Sequence, residues 1–490
     1  MPPSTSNDVL RAQASSLDSA IVILQVRAQS DNLSAHQELN NLPTARAAVQ
    51  AELDAITYDV LTLPVEIVAQ TFYWTLVPSR LQPKSTPRQE PWRLGHICRL
   101  WREIALSTPQ LWSTIDIRPG PRIPDHYGER MRTSLSRAGS LPLAISFIFN
   151  DDEGDFLADY TKTIADFLTP VVSHSHTWED INLSGITPAS LNALQLVHHQ
   201  LPLLKSLALD FSNGPHDGRL STVFNDAPLL RKVYLSNFGS QPFALPWAQF
   251  TSLHISNCTV KALADTLGWT PALVNLNIGA ILPDHLPVLP SLPHLRSFVC
   301  NNAFLDLSVQ KQFLSHLDVH LWRLKITVND LAPFSPPLAH PASLEELSVT
   351  IESGLFAGPS SLEGLTATLA LRTLKITALS YQPNTTAFSL DPLIYRLTHD
   401  PEFLPRLESL TIIILEQPAS EHPPFHSTAL SGVLGARCSS TGGALRYFEL
   451  RSRRGLPALD PQVVEMVGTG TEIILITDPQ LTVHIWSTEF

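Results

Sequence analysis

The fold of this 490-residue chain is decided by the stretch Leu201-Pro202-Leu203-Leu204-Lys205-Ser206-Leu207-Ala208-Leu209. Three of its leucines follow the spacing Leu-x-x-Leu-x-Leu, and a proline stands just before them. Alternation at the last two leucines predicts a short strand, while the first leucine packs the turn that leads into it. One such unit cannot bury its apolar side alone, so it needs similar neighbours on which to stack.

The same apolar spacing recurs along most of the chain. The repeated hexads are Trp178/Ile181/Leu183, Leu204/Leu207/Leu209, Leu230/Val233/Leu235, Phe250/Leu253/Ile255, Leu273/Leu276/Ile278, Leu295/Phe298/Cys300, Leu321/Leu324/Ile326, Leu344/Leu347/Val349, Leu371/Leu374/Ile376, Leu407/Leu410/Ile412 and Leu445/Phe448/Leu450. Their central residues lie mostly 20 to 27 positions apart, the spacing expected of leucine-rich repeats. The pattern therefore predicts an α/β solenoid over residues 113–490, with a parallel sheet on its concave side.

Further segments fit the same array. Residues 112–117 and 141–147 are predicted to be its first, irregular strands, and Ile473–Ile476 its last. Two wider gaps between hexads carry insertions at residues 379–403 and 416–442, which are rich in Pro, Ser, Thr and His. We expect both insertions to be exposed loops at one rim of the solenoid.

A different pattern precedes the array, in residues 60–112. Pro64 suits the first turn of a helix, and the spacing predicts that this helix runs to about Trp74. Residues 94–105 carry apolar side chains at the spacing of one helical face, which predicts a second, amphipathic helix. Thr108-Pro109 should end that helix, because a residue before proline is pushed out of the α region.

These residues carry a resemblance to a known family. The order Leu-Pro-x-Glu-Ile at residues 63–67, Cys-Arg-x-Trp-Arg-x-Ile-Ala at 98–105 and Pro-x-Leu-Trp at 109–112 resembles the F-box motif, in the form abundant in mushroom-forming fungi. F-box helices dock on the Skp-type adaptor of a cullin-RING (SCF-type) ubiquitin ligase. The resemblance implies that the adaptor-binding residues are Leu63, Pro64, Glu66, Ile67, Leu94, Ile97, Cys98, Trp101, Ile104, Leu111 and Trp112. The insert from Thr75 to Trp92 is longer than in compact F-boxes.

A plainer interpretation stands beside this one. Two amphipathic helices can also cap the first repeat, because a solenoid needs a terminal unit to cover it.

The heptad-like spacing of Leu10, Leu17 and Leu24 predicts a helical leader over residues 1–59. That leader either supports dimerisation or adaptor binding, or packs on the F-box of its own chain, which is the interpretation we favour.

Composition limits the classes of function. The formal charge of −12 argues against broad binding to nucleic acid or anionic membranes, since both need a basic field. The sequence starts without the basic and apolar regions of a secretion signal and holds no long apolar run. Its four cysteines are widely spaced, so we expect reduced thiols, buried at Cys98, Cys258 and Cys300. A cytoplasmic or nuclear protein is expected.

The positions between the repeated apolar residues should face the concave surface. A substrate-binding set is predicted there because several repeats supply cations that suit an acidic or phosphorylated partner. Its members are Lys205, Arg231, Tyr234, Arg296, Arg323, Lys325, Arg372 and Lys375. The alternative, which we favour, is ordinary solvated strand polarity.

Motifs of catalysis, nucleotide binding and metal binding are missing from the sequence. The histidine pairs His174/His176 and His198/His199 have no regular cysteine or carboxylate partners, so no metal site and no cofactor are expected. We therefore expect a non-catalytic substrate receptor of a ubiquitin ligase, which holds the Skp-type adaptor with its F-box and a target protein with its repeats. The alternative is a leucine-rich-repeat scaffold outside any ligase, with an F-box-like cap.

Overall fold

The computed structural model describes residues 13–18, 20–21, 42–52, 63–76, 91–117, 126–148, 168–186, 194–197, 201–211, 222–238, 244–282, 290–300, 320–328, 340–351, 363–378, 391–415, 427–437, 444–452 and 472–477. The chain divides into two compact units. The larger unit comprises residues 63–329, 336–352 and 483–490, and the smaller unit comprises residues 1–62, 330–335 and 353–482.

The larger unit is α/β. Its helices with defined bounds are α1 (Val65–Leu76), α2 (Pro91–Leu94), α3 (Arg99–Ser107), α4 (His126–Ala138) and α5 (Val260–Gly268). Its strands are β1 (Thr114–Ile117), β2 (Leu143–Ile148), β3 (Trp178–Ile186), β4 (Ser206–Phe211), β5 (Lys232–Ser236), β6 (Ser252–Ser256), β7 (Cys258–Thr259), β8 (Asn275–Ile278), β9 (Ile281–Leu282), β10 (Ser297–Cys300), β11 (Arg323–Val328) and β12 (Glu346–Ile351). Strands β7 and β9 pair only with each other, and the other ten form one parallel sheet in chain order.

The register of this sheet explains the repeated hexads. Leu207 of β4 lies opposite Ile181 of β3 and Val233 of β5, so equivalent apolar residues form continuous rows across the strands. All three side chains are buried, as are the turn anchors Leu204 and Leu230. The predicted strands of the hexads are confirmed, as are the two irregular strands, which are β1 and β2.

Asparagine ends two consecutive strands of the sheet. Asn237 and Asn257 follow β5 and β6 and have φ angles of 56° and 51°, a left-handed conformation that asparagine tolerates better than most residues. Each amide reaches back to the preceding strand, where Asn237 Nδ2 donates to Asp210 Oδ1 at 2.9 Å and Asn257 Nδ2 donates to Ser236 Oγ at 3.3 Å. The turns that leave these strands are therefore fixed by side-chain hydrogen bonds.

The smaller unit continues the α/β pattern. Its strands β13 (Thr373–Ala378), β14 (Ser409–Ile414), β15 (Tyr447–Ser452) and β16 (Glu472–Thr477) are parallel and in chain order. Its helices with defined bounds are α6 (Glu363–Thr366), α7 (Asp391–His399) and α8 (Ser427–Arg437). The predicted last strand is confirmed as β16.

The insertions between the last hexads differ from the prediction. They were expected to be exposed loops, but α7 and α8 lie within them, and Leu393, Ile394 and Val433 are buried. At the end of α8, the Arg437 guanidinium donates to the carbonyl oxygens of Leu397 and Asp400, both at 2.8 Å. It therefore satisfies carbonyls at the C-terminal end of α7, which a helix leaves without partners of its own. The prediction that these insertions are loops was therefore wrong, because their buried apolar residues stabilise helices despite the Pro-, Ser- and Thr-rich composition.

Part of the leader is helical, at residues 13–18, 20–21 and 42–52. Arg46 Nε lies 2.8 Å from Asp18 Oδ1, so a side-chain ion pair joins helical residues 42–52 to helical residues 13–18. Of the helices within the described residues, none has both the length and the apolar character needed to cross a membrane.

Candidate docking site and polar sheet face

Helix α1 starts where the sequence predicts. The carbonyl oxygen of Pro64 accepts hydrogen bonds from the backbone N–H groups of Ile67 at 3.0 Å and Val68 at 3.1 Å, so Pro64 stands immediately before the first helical residue. The helix ends at Leu76, two residues beyond the predicted end. One side of α1 is buried, through Val68, Phe72 and Leu76.

The second predicted helix is interrupted. Helix α2 ends at Leu94, a turn covers residues 95–97, and α3 begins at Arg99 with Cys98 as its N-cap. The Cys98 Sγ accepts a hydrogen bond from the backbone N–H of Trp101 at 3.4 Å. The prediction of one continuous helix over residues 94–105 was therefore wrong. The apolar residues keep a helix-like spacing in the sequence, although a turn interrupts the helical backbone between α2 and α3.

The predicted end of this region is confirmed. Thr108 is extended, with φ −108° and ψ 93°, and Pro109–Leu111 form a single 3-10 turn. The side chain of Trp112 is only 1% exposed, and its Nε1 donates to the carbonyl oxygen of Ala105 at 2.7 Å. Trp112 thereby ties the end of α3 to the start of β1.

Burial divides the predicted adaptor-binding residues into three groups. The buried ones are Leu94, Ile104, Leu111 and Trp112; the half-buried ones are Leu63, Cys98 and Trp101; the exposed ones are Pro64, Glu66, Ile67 and Ile97. The buried side chains hold the helices together and cannot contact a partner directly in this structure. Only the exposed and half-buried residues can contact a partner protein directly, and the exposed ones offer the most surface.

An apolar surface remains on the outer side of these helices. Ile67 is 52% exposed, Trp74 is 67% exposed, and they lie seven residues apart on one side of α1. Thr71 lies between them, and its hydroxyl donates to the carbonyl oxygen of Ile67 at 2.9 Å, which removes a polar donor from that side. We call Ile67, Thr71 and Trp74 the α1 stripe. In the turn after α2, Ile97 is also an exposed apolar residue, at 60%.

Trp74 was not among the adaptor-binding residues predicted from the sequence, although it is exposed on the same side of α1 as Ile67. The spacing of seven residues from Ile67 was a usable signal, because residues i and i+7 share one side of a helix. Its indole contacts Tyr73 edge-on, with ring centroids 5.5 Å apart. Val65, at the start of α1, is a further exposed apolar residue that the prediction did not include.

Aromatic contacts join the helices to one another. The rings of Phe72 and Trp101 meet edge-on with centroids 4.9 Å apart, which connects α1 to α3. The rings of Trp92 and Trp112 also meet edge-on at 4.9 Å. The guanidinium of Arg137, on α4, lies 4.6 Å from the Trp92 ring centre and 4.4 Å from that of Trp112. Burial lowers the pKa of the Arg137 guanidinium.

The predicted substrate-binding residues of the polar sheet face fall into two sets. Lys205, Arg231, Arg296 and Arg372 lie immediately before a strand, whereas Tyr234, Arg323, Lys325 and Lys375 lie within one. Three of the cations pair with a carboxylate, through Lys205–Glu179 at 2.6 Å, Arg323–Glu346 at 3.0 Å and Arg372–Glu408 at 3.5 Å. These pairs reduce the positive field that an acidic partner would meet.

Register places Tyr234 and Lys325 in one row of the larger sheet. The row runs through His254, Asn277 and Val299, so the two residues are four strands apart, about 19 Å at the usual strand spacing. The rings of Tyr234 and His254 meet edge-on with centroids 4.5 Å apart. A tyrosine phenol is neutral near pH 7 at its ordinary pKa, and burial raises the pKa of the Tyr234 phenol further. One end of this row is therefore aromatic and uncharged at Tyr234, and Lys325 places a cation at the other end.

Metal-ligating residues do not cluster in the described part of the chain, where no group of three or more His, Cys, Asp or Glu side chains could hold an ion. His174 contacts Ser173, with Nδ1 3.0 Å from the hydroxyl, and His198 and His199 lie outside the described residues. Cys258 and Cys300 are buried and form no disulfide within the described residues, and burial raises the pKa of Cys258 to about 12. Cys98, expected to be buried, is only half-buried because it caps α3.

Comparison with known proteins gives no family assignment. The sequence matches no model of a protein family, and the comparison with curated proteins also gave no match.

Proposed function

We propose that this chain is the substrate-receptor subunit of a cullin-RING (SCF-type) ubiquitin ligase, without catalytic activity of its own. The helices of residues 63–112 would hold a Skp-type adaptor, and the strands that follow would hold a target protein. Binding both raises the local concentration of target lysines near a ubiquitin-charged enzyme.

The exposed apolar residues of the F-box-like segment are the observation that carries this proposal. Ile67 and Trp74 of the α1 stripe, together with Ile97, expose more than half of their side-chain surface. Exposed apolar side chains that share one side of a helix, as Ile67 and Trp74 do, are typical of protein–protein interfaces, and aromatic residues are frequent at the energetic centre of such interfaces. Ile67, Trp74 and Ile97 lie in residues 63–112, the segment whose three sequence blocks resemble the F-box.

The direct test is binding of the full-length chain to a purified fungal Skp-type adaptor, measured by calorimetry and by co-elution on a sizing column. We expect a stoichiometric complex. Ile67→Asp should weaken adaptor binding roughly 30-fold, because a charge replaces a central apolar contact and such residues contribute about 2 kcal/mol or more.

Leu229→Asp is the matched control, since Leu229 is also an exposed apolar residue of the larger unit but lies in the turn before β5. It should leave adaptor affinity unchanged. Both positions are exposed, so thermal unfolding should show two folded variants. A folded chain that does not bind the adaptor, or equal losses from both substitutions, would contradict the proposed docking site.

One observation favours the alternative, a repeat scaffold with an F-box-like cap. Leu111 and Trp112 are buried directly before β1, as a terminal cap on the first strand requires. Capping alone, however, gives no reason to expose Ile67 and Trp74. Failure of the adaptor experiment would leave this scaffold as the better account.

A further inference from the structure

Strands β13–β15 carry a positive charge, although the chain as a whole is acidic. Residues 371–378, 405–414 and 445–452 comprise these strands and the residues that lead into them, and they contain five cations and two carboxylates. Their net formal charge is therefore +3, against −12 for the whole chain. A local charge opposite in sign to that of the whole protein can attract a partner of complementary charge.

Three of these five cations are available to a ligand. Lys375, Arg406 and Arg446 are exposed, and their side chains make no hydrogen bond or ion pair with any residue that the structure describes. Arg372 is also exposed, and its Nη1 lies 3.5 Å from Oε1 of Glu408. The positive charge of these strands is therefore not cancelled by pairs within the described part of the chain.

The two carboxylates of these strands pair with other cations. Glu449 is buried on β15, where its Oε1 lies 2.5 Å from Arg451 Nε, and its Oε2 accepts a hydrogen bond from Thr411 Oγ1 at 3.5 Å. Glu408 pairs with Arg372. Neither carboxylate therefore forms an ion pair with the three available cations.

The register of the sheet brings the cations close together. Arg372 and Arg446 immediately precede β13 and β15, which both pair with β14 in register, so their backbones lie two strands apart, about 10 Å. Lys375 follows Arg372 by three residues, about 10 Å along β13, and Arg406 lies in the turn that leads into β14. The Debye length is about 8–10 Å at moderate salt, so neighbouring cations act on one bound segment. We call Arg372, Lys375, Arg406 and Arg446 the cationic edge.

We propose that the cationic edge binds an acidic segment of the target protein, rich in Asp and Glu. In an extended segment, carboxylates three residues apart are separated by about 10 Å, which matches the spacing of the cations. Each guanidinium can hold a carboxylate through two donors. A protein segment is favoured over nucleic acid, because the charge of −12 on the whole chain repels a long polyanion that extends beyond the edge. That the segment belongs to a ubiquitin-ligase target rests on the proposed function.

The test is a titration of the full-length chain with fluorescently labelled octaglutamate, octaglutamine and an oligouridine of the same length. Fluorescence anisotropy should show saturable binding of octaglutamate that weakens as salt is added, and no binding of octaglutamine. Tighter binding of oligouridine than of octaglutamate, or no saturable binding of octaglutamate, would overturn the proposal. The adaptor is left out, so this result and the adaptor experiment can fail separately.

Charge reversals separate the cationic edge from the general charge of the protein. Lys375→Glu should weaken octaglutamate binding at least about tenfold, because an attractive charge becomes a repulsive one, and Arg446→Glu should cause a similar loss. Lys261→Glu is the matched control, since Lys261 is an exposed lysine of α5 in the larger unit, and it should leave affinity within about twofold of the native value. Circular dichroism should show that all three variants are folded. Equal losses from Lys375→Glu and Lys261→Glu would refute a specific site.

Discussion

Trp112 shows how a single residue holds the predicted docking helices to the sheet. Its indole donates to the carbonyl oxygen of Ala105, contacts Trp92 edge-on and lies under the Arg137 guanidinium. Burial of a large aromatic ring with a satisfied N–H stabilises strongly, since both the apolar area and the hydrogen bond contribute. The role of Trp112 is therefore structural, although the F-box resemblance had placed it among the adaptor contacts.

We predict that Trp112→Phe lowers the free energy of unfolding by about 1–3 kcal/mol. The ring is largely retained, but the Ala105 carbonyl loses its donor and a smaller side chain leaves a gap. Urea denaturation measures the change. Trp74→Phe is the control, because the Trp74 side chain is 67% exposed, and it should alter stability by less than about 0.5 kcal/mol. Equal effects at the two positions would show that the buried hydrogen bond contributes nothing.

At the scale of elements, α3 depends on an unusual cap. Cys98 is extended, with φ −152° and ψ 170°, and its sulfur accepts from the backbone of Trp101. Sulfur is a weak acceptor, whereas serine is among the preferred N-cap residues. We predict that Cys98→Ser is more stable than Cys98→Ala by about 1 kcal/mol, measured by thermal unfolding of both variants. Identical melting temperatures would mean that the cap does not stabilise α3.

Elements that depend on local spacing were predictable from the sequence, and those that depend on distant partners were not. The hexad around Leu207 predicted β4 because alternation over a few residues fixes a strand against its neighbours. The break between α2 and α3 was missed because the turn at Gly95 preserves the apolar spacing on both sides.

The candidate site was predictable only in part. Ile67 was identified by its motif, but the position of Arg137 beside Trp92 depends on a contact between residues 45 positions apart.

At the scale of the whole molecule, the order of the strands makes contacts strongly local. Within each unit, the strands of the parallel sheet pair with their neighbours in chain order. Stability in such an architecture is approximately a sum of individual repeats and nearest-neighbour interfaces. A cavity in one strand should therefore destabilise mainly the strands that pair with it. This should hold for equivalent buried leucines in different repeats.

The prediction is a local response to a cavity. Leu410 of β14 and Leu209 of β4 are both fully buried, so either Leu→Ala substitution removes about 2–5 kcal/mol of local stabilisation. Hydrogen–deuterium exchange with mass spectrometry should show faster exchange in β13–β15 for Leu410→Ala and in β3–β5 for Leu209→Ala. The two variants are controls for each other, because each should leave the other's strands at the native rate. Faster exchange at all strands in both variants would mean that the repeats unfold together, which nearest-neighbour stacking does not predict.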